Sequence, residues 1–190
     1  MTQNLDTTVL LALASDITHC SCARTIHEVH PALARQMQDE EDDALLPRLV
    51  VLLQDRPLIV CAAARDRFLA IVAGLASESE AARAQGMFSG EVPGLEGLRL
   101  PVNVVEDHVL CEGDPEVYVA VVGRLGEDTL SRAVFVTGWA MGVTTVTCNK
   151  AVVRRIRAAV ARAGEGVVGP EMLIVGCARS LVGRPKATAG

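Results

Sequence analysis

Residues 57–75, PLIVCAAARDRFLAIVAGL, hold the strand-then-helix pattern that decides the fold. The apolar run 58–61 after Pro57 is typical of a strand buried inside a sheet. Apolar side chains then recur at steps of three and four, which predicts an amphipathic helix with Asp66 in its first turn. The recurring positions are Ala64, Phe68, Ile71, Val72 and Leu75.

The same alternation extends to both sides of this unit. Strands are expected at 2–5, 101–105, 133–137 and 172–177, and helices from Thr7 or Thr8, at 47–53 from Pro47, at 115–124 after an Asp114 cap, and at 150–163. Alternating strands and helices predict an α/β domain, a three-layer α/β/α sandwich with a mostly parallel central sheet. We expect one such domain over residues 1–183 and a loose tail at 184–190.

Three further stretches carry weaker signals. Residues 143–149 are rich in β-branched side chains, so they fit either a strand or the first turns of the last helix. Residues 86–97 are rich in glycine and predict a loop. The acidic run 36–43 predicts a solvated surface without a function.

Composition excludes several classes of protein. Hydrophobic residues make up 50% and charged residues 22%, so the chain is globular rather than disordered. Aromatic residues make up only 3% and the formal net charge is −5, which argues against a stacking RNA platform and against a generally basic nucleic-acid binder. Motifs typical of serine hydrolases and of phosphate-binding loops are absent from the sequence.

The chain is expected to work inside the cell, in the cytoplasm or nucleus, and without a membrane. Its amino end lacks the basic residues of a secretory signal, and the long uncharged stretch 133–149 is too polar to span a bilayer. Six scattered cysteines fit a reducing compartment better than a disulfide framework. They are Cys20, Cys22, Cys61, Cys111, Cys148 and Cys177.

Polar side chains follow several of the predicted strands. In parallel sheets ligands gather at the carboxyl ends of strands, and carboxylates that converge there hold Mg²⁺ or Mn²⁺. Aspartates that only cap helices give the same spacing, so the pattern fits both interpretations. The positions concerned are Asp6, Asp66, the group Asp107, Glu112, Asp114 and Glu116, and the turn Thr137-Gly138-Trp139.

The opening residues 4–11, NLDTTVLL, resemble the start of PIN domains, a fold typical of metal-dependent ribonucleases. Residues 45–52, 58–71, 102–105 and 134–156 are similar to a eukaryotic PIN-like family of uncharacterised proteins. This resemblance implies an acidic pocket that binds Mg²⁺ or Mn²⁺ and hydrolyses single-stranded RNA. Members of that family often carry a further amino-terminal domain, so we expect an accessory surface to be missing from this chain.

The resemblance assigns roles to individual acids. It implies Asp6 as the first catalytic metal ligand, Asp66 as the second, and Asp114 or Glu116 as the third. PIN proteins commonly carry a fourth acid after a Thr-x pair, where this chain has Trp139 after Thr137-Gly138, or Asn149 after Thr147-Cys148 in a second register. Either register lacks the acid, which predicts a weakened metal site.

Substrate contacts follow from the same comparison. Thr8, where the family has asparagine, Thr137 and Asn149 are candidate substrate-binding residues, joined by Arg154 and Arg155 on a basic predicted helix. That helix fits phosphate contacts, and it also fits a solvated helix whose basic end complements its dipole. Metal ligands of the zinc type cluster at His19, Cys20, Cys22, His27 and His30, but the spacing is not that of a standard zinc site, and we expect no zinc there. His108 is assigned no role.

The sequence therefore predicts a PIN-like protein of nuclease ancestry with a degenerate acidic site. We expect a weakly active or inactive nuclease that acts as a binding module for single-stranded RNA or a protein partner. The alternative is an active Mg²⁺- or Mn²⁺-dependent endoribonuclease.

Overall fold

A five-stranded sheet, all parallel, forms the centre of the computed structural model, which describes residues 1–22, 29–164, 166–176 and 178–183. The strand order is β3-β2-β1-β4-β5. The strands are β1 (Gln3–Leu5), β2 (Leu58–Cys61), β3 (Asn103–Val105), β4 (Thr144–Thr147) and β5 (Met172–Ile174). The predicted α/β architecture with a parallel central sheet is confirmed, and the expected tail at 184–190 lies outside the described residues.

Eight helices in the described part of the chain flank this sheet. They are α1 (Thr7–Ala14), α2 (Pro31–Asp42), α3 (Leu45–Leu53), α4 (Ala62–Leu75), α5 (Glu78–Ser89), α6 (Glu116–Leu125), α7 (Thr129–Ala140) and α8 (Lys150–Ala163). Helix α1 packs against α4 and α5, while α6 packs against α7 and α8. This gives the three layers that the strand and helix alternation predicts. None of the described helices is both long and apolar enough to cross a membrane.

The strands at the middle of the sheet are buried on both faces. Every residue of β1, β2 and β4 is buried, as expected for a parallel sheet with helices on either side. Aliphatic side chains fill most of the core, with Phe68 and Phe135 as its largest fully or nearly fully buried members. The carboxyl ends of β1, β2 and β4 lead directly into α1, α4 and α8.

The strand expected at 133–137 is wrong, because these residues belong to helix α7. Asp128 begins this helix by accepting a hydrogen bond from the Ser131 backbone N–H at 3.1 Å. Helix α7 lies against β1, β2 and β4, so residues 134–138 are all buried. A helix buried on more than one side loses its apolar periodicity and resembles a buried strand in sequence. The strand lies instead within residues 143–149, the stretch whose sequence fits either a strand or a helix, and it is β4.

Several predicted boundaries also shift. Helix α3 begins at Leu45 rather than at Pro47, and α5 continues to Ser89, so the glycine-rich loop begins at Gly90. Helix α4 begins at Ala62, which places Asp66 in its second turn. Pro115, not Asp114, occupies the cap position of α6. The last strand ends at Ile174, and Cys177 lies outside the described residues.

The acidic run 36–43 is not wholly a solvated surface, contrary to expectation. It lies largely in α2, and Glu40 is buried, where its Oε2 accepts a hydrogen bond from Arg179 Nε at 2.7 Å. Glu40 Oε1 also accepts from the Leu45 backbone N–H at 2.7 Å, which joins α2 to the start of α3. A charge needs such partners to be buried, so one acid of the run is internal for a structural reason.

Candidate functional site

Asp6 lies at the carboxyl edge of the central strand, between β1 and α1. Its backbone N–H continues the ladder between β1 and β4 by donating to the Val146 carbonyl at 3.0 Å. Its backbone carbonyl accepts from the N–H groups of Val9 and Leu10 in the first turns of α1. The residue is 6% exposed, so the main chain fixes its side chain in a buried position.

Two threonine hydroxyls hold one oxygen of this carboxylate. Asp6 Oδ2 accepts from Thr8 Oγ1 at 2.8 Å and from Thr147 Oγ1 at 2.5 Å. Thr8 Oγ1 accepts from the Cys148 N–H, and Thr147 Oγ1 accepts from the Asn149 N–H. Each hydroxyl thus accepts one backbone N–H and donates its own hydrogen to Asp6.

Burial raises the pKa of Asp6 above its ordinary value of 3.8. The hydroxyls of Thr147 and Thr8 act in the opposite direction, together with the backbone N–H groups of Thr7 and Thr8, but burial has the larger effect. The side chain is therefore a hydrogen-bonded carboxyl group whose ionisation costs more free energy than in water, as is common at functional sites and in buried polar networks.

Cys61 and Asp107 complete this edge on the β2 and β3 side. Asp107 Oδ1 accepts from the Ala63 backbone N–H at 3.0 Å, at the start of α4. Burial raises the pKa of the Cys61 thiol to about 12, and the charges of Asp107 and Asp6 act in the same direction. Cys61 is thus a neutral thiol that experiences the fields of both carboxylates. Asp107 is one of the acids that follow a predicted strand, but the resemblance assigns it no role; it lies two residues after β3.

Asp66 does not share this edge through any hydrogen bond or ion pair that the structure describes. It is exposed on α4 and forms an ion pair with the neighbouring Arg65, with Nη2 and Oδ1 2.7 Å apart. An exposed ion pair of this kind contributes little to the free energy of unfolding, but it places the Asp66 carboxylate beside an arginine. The predicted second ligand is therefore already partnered.

Asp114 belongs to a separate cluster on the loop before α6. Its Oδ2 lies 2.9 Å from His108 Nε2 and accepts from the Cys111 backbone N–H at 2.9 Å. These contacts hold the pKa of Asp114 below its ordinary value, the Cys111 N–H having the largest effect. Glu116, the other candidate for the third acid, is the exposed first residue of α6. His108, which the sequence assigned no role, is thus the partner of a candidate site residue.

The turn expected to carry the fourth acid is inside a helix. Thr137 and Trp139 both lie in α7, where Thr137 Oγ1 accepts from the His108 backbone N–H at 2.8 Å. The Trp139 ring packs on Tyr118 with centroids 4.2 Å apart. Thr137 therefore holds the loop at His108, and Trp139 packs against α6. No contact described here joins either residue to Asp6.

The threonine of the second register does contact Asp6. Thr147 ends β4 and bonds to Asp6, which places Asn149 two residues past that contact. Asn149 Oδ1 accepts from the Val152 N–H at 3.1 Å and begins α8. The carboxyl edge thus has a neutral amide in this place, in a position where an aspartate would cap the helix equally well.

A family model described as "Protein of unknown function (DUF1308)" matches residues 3–164. The chain belongs to the DUF1308 family. The matched region runs from β1 to the end of α8, so it contains Asp6, Cys61, Asp107, Thr147 and Asn149.

The histidines and cysteines near the amino end of this DUF1308 chain have individual roles. His19 Nε2 lies 2.9 Å from the Leu13 carbonyl, and burial lowers the His19 pKa, which favours the neutral ring. His30 Nδ1 accepts from the Ala32 N–H and begins α2, while Cys20 is exposed. His27 lies outside the described residues. Among the residues that the structure describes, no three His, Cys, Asp or Glu side chains are grouped to hold a metal ion.

Helix α8 gives this DUF1308 chain a basic surface. Residues 150–163 contain five basic residues and no acid. Arg155 forms an ion pair with Asp128, with Nη2 and Oδ2 2.9 Å apart. Lys150 and Arg154 are exposed, and neither has an ion-pair partner within the described ranges. Of the two predicted arginines, Arg154 is the one with its charge available.

Proposed function

We propose that this DUF1308 member is a PIN-like module of nuclease ancestry that binds single-stranded RNA without cleaving it. One observation carries the proposal: among the described residues the candidate catalytic aspartates are not grouped around a shared point, and each is bonded to a different neighbour. Asp6 is held by two threonines, Asp66 by Arg65 and Asp114 by His108. These pairings lie on different elements of the fold.

Hydrolysis of a phosphodiester by Mg²⁺ or Mn²⁺ depends on oxygen ligands that converge on the ion and leave room for water. Asp6 has one carboxylate oxygen occupied by hydroxyls, and Asn149 supplies no charge beside it. The implied ligand set Asp6, Asp66 and Asp114 does not fit a shared cation in this arrangement. We therefore assign no reaction step to a metal.

The basic side of α8 supports RNA as the ligand. Lys150 is the first residue of α8, where the helix dipole disfavours a cation, so dipole compensation does not account for it. Arg154 follows one turn later, on the same exposed side. Both residues lie in the first turns of α8, which starts just after the carboxyl end of β4. RNA phosphates bound to them would therefore pass close to Asn149 and Thr8.

Fluorescence anisotropy with a labelled single-stranded oligouridine tests this assignment. The double variant Lys150→Glu/Arg154→Glu is expected to weaken binding by about tenfold or more, and the wild-type affinity is expected to fall as salt rises. The matched control Arg67→Glu/Arg99→Glu reverses two exposed arginines elsewhere and should bind like wild type. Equal weakening by both double variants would mean that net charge alone attracts RNA, and the site on α8 would be rejected.

The second candidate function is an active metal-dependent endoribonuclease. It is favoured by one observation: Asp6 follows β1 and Asp107 follows β3, so both carboxylates lie at the carboxyl end of the sheet, on either side of β2. Two carboxylates with this arrangement could bind one cation. Cleavage that depends on Mn²⁺ and disappears in Asp6→Asn would establish this alternative over a binding module.

A further inference from the structure

A groove between α6 and α8 lies apart from the carboxyl edge. It has a volume of about 350 Å³. Its floor is apolar and built mainly of small residues, including Gly123 of α6 and Ala159 and Ala163 of α8, with the exposed Val119 on one side. Val119 is 59% exposed, although a valine on a packed helix pair is usually more covered.

The charges along this groove have one sign. Among the residues that the structure describes, the charged ones that line it are Arg124 of α6 and Arg162 of α8. Neither has an ion-pair partner in the part of the chain that the structure describes, and the whole of α8 contains no acid. The complementary ligand is therefore acidic.

We propose that this groove binds an acidic amphipathic helix of a partner protein. Carboxylates of that helix would pair with Arg124 and Arg162, and its apolar stripe would pack on Val119 and the small residues between them. A groove between two helices accepts a third helix through anchors at steps of three and four residues. Small side chains on the floor let the backbone of the incoming helix approach closely.

RNA is a poorer occupant of the groove than a protein helix. No aromatic side chain of the described residues lines it, so these residues offer no surface on which a base can stack. Its floor is apolar, whereas phosphates are best held by several cations along a strand. Arg162 also lies about 18 Å along α8 from Lys150, at a rise of 1.5 Å per residue, so the groove is separate from the RNA surface proposed above.

The probe is a synthetic peptide of about 18 residues, or five helical turns, with leucine at steps of three and four and glutamate elsewhere. Its control is the same peptide with lysine in place of glutamate. Titration calorimetry is expected to give saturable binding of the acidic peptide with a Kd of about 100 µM or tighter, and none of the basic peptide.

Two different variants should weaken this binding. Gly123→Leu fills the groove, and the structure has room for it, since a Cβ at Gly123 meets no atom within 4 Å. Arg124→Glu/Arg162→Glu reverses the charge. Each is expected to weaken binding of the acidic peptide by about tenfold or more, as for anchor residues of an interface. The matched controls are Gly74→Leu, at an equally open glycine of α4, and Arg67→Glu/Arg99→Glu, both of which should bind the peptide like wild type.

The Lys150→Glu/Arg154→Glu variant separates this inference from the proposed function. It should bind RNA about tenfold or more weakly than wild type and bind the acidic peptide as wild type does. Absence of saturable peptide binding to wild type, or peptide binding as tight as that of wild type in both groove variants, would overturn the inference. Displacement of the peptide by oligouridine, with both ligands lost in the groove variants, would show that the groove contacts nucleic acid and would also overturn it.

Discussion

Asp6 is buried at the end of the central strand with two hydroxyls directed at one oxygen. A buried carboxylate prefers to be neutral, and the neighbouring donors only partly offset that preference, so its pKa is raised. Residues that a fold retains at such a cost are candidates for function, and Asp6 is also the residue that first suggested a site in the sequence.

The raised pKa of Asp6 predicts a specific pH dependence of stability. Below the ordinary value of 3.8 the group is neutral in both the folded and unfolded states. As pH rises, the unfolded chain ionises first, so Asp6 lowers the free energy of unfolding until the folded pKa is passed. Asp6→Asn removes this loss. Its free energy of unfolding relative to wild type should therefore rise between pH 4 and pH 7, by about 1.4 kcal/mol for each unit of the shift.

Urea unfolding of both proteins at the two pH values measures this difference. Parallel curves, with the same difference at pH 4 and pH 7, would contradict the raised pKa and the buried state of the carboxylate.

Gly138 shows how closely α7 approaches the sheet. A Cβ at this position would overlap Thr145 Oγ1 and lie 2.8 Å from Asn4 Nδ2, two groups that are hydrogen-bonded to each other at 3.0 Å. Gly138→Ala should therefore destabilise the protein by about 1–3 kcal/mol through overpacking. Thermal unfolding is the measurement. The control is Gly74→Ala, where the added Cβ meets nothing within 4 Å and should raise stability by about 0.5–1 kcal/mol. Similar shifts in both variants would refute the close contact.

At the scale of elements, sequence predicts best where one signal acts alone. The run 58–61 is apolar, short and bounded by Pro57, so β2 and the helix after it were predicted. Helix α7 was missed because the sheet and the neighbouring helices bury residues 134–138, which hides the helical period. Glu40 was missed because only the folded chain brings Arg179 to it.

The candidate site also has residues that the sequence can predict and contacts that it cannot. Asp6 could be predicted since it directly follows a strand, and Asn149 could be weighed since it follows Thr147-Cys148. The choice between the two registers needed the contact from Thr147 to Asp6, which joins residues distant in sequence. The partners of Asp66 and Asp114 likewise depend on side-chain placement that no spacing rule supplies.

The carboxy-terminal segment 178–183 is joined to the body by buried carboxylates. Arg179 pairs with Glu40, and Glu80 accepts from the Val182 and Gly183 backbone N–H groups at 2.7 and 3.1 Å. Both carboxylates belong to helices that precede this segment in the chain, α2 and α5. Residues close to the end of the described chain therefore belong to the folded core.

Glu40→Gln should destabilise the protein by about 3–5 kcal/mol, because it leaves the Arg179 charge buried beside a neutral amide. Glu41→Gln, one residue further along α2 and exposed, should change the free energy of unfolding by less than about 0.5 kcal/mol. Chemical denaturation of the two single variants compares them directly. Equal effects would show that the pair contributes no more than a surface charge.

At the scale of the whole molecule, charge is distributed unevenly. The chain has a net charge of −5, yet α8 contains five basic residues and no acid. Several acids are neutralised locally, as Asp16 is by Arg83 and Glu40 by Arg179. A protein with an acidic total can thus present one basic helix to a polyanion, next to a sheet edge whose acids are already partnered.

The central claim is that this DUF1308 member binds RNA at that edge without cleaving it. The most direct test is a cleavage assay on end-labelled single-stranded RNA, with and without Mn²⁺, at protein concentrations that saturate the RNA in the anisotropy experiment. It compares wild type, Asp6→Asn and Asn149→Asp; the last restores the implied acid and keeps the helix cap. We predict no Mn²⁺-dependent cleavage by wild-type protein despite saturated binding. Mn²⁺-dependent cleavage by wild type that is lost in Asp6→Asn would contradict the account and establish a working nuclease.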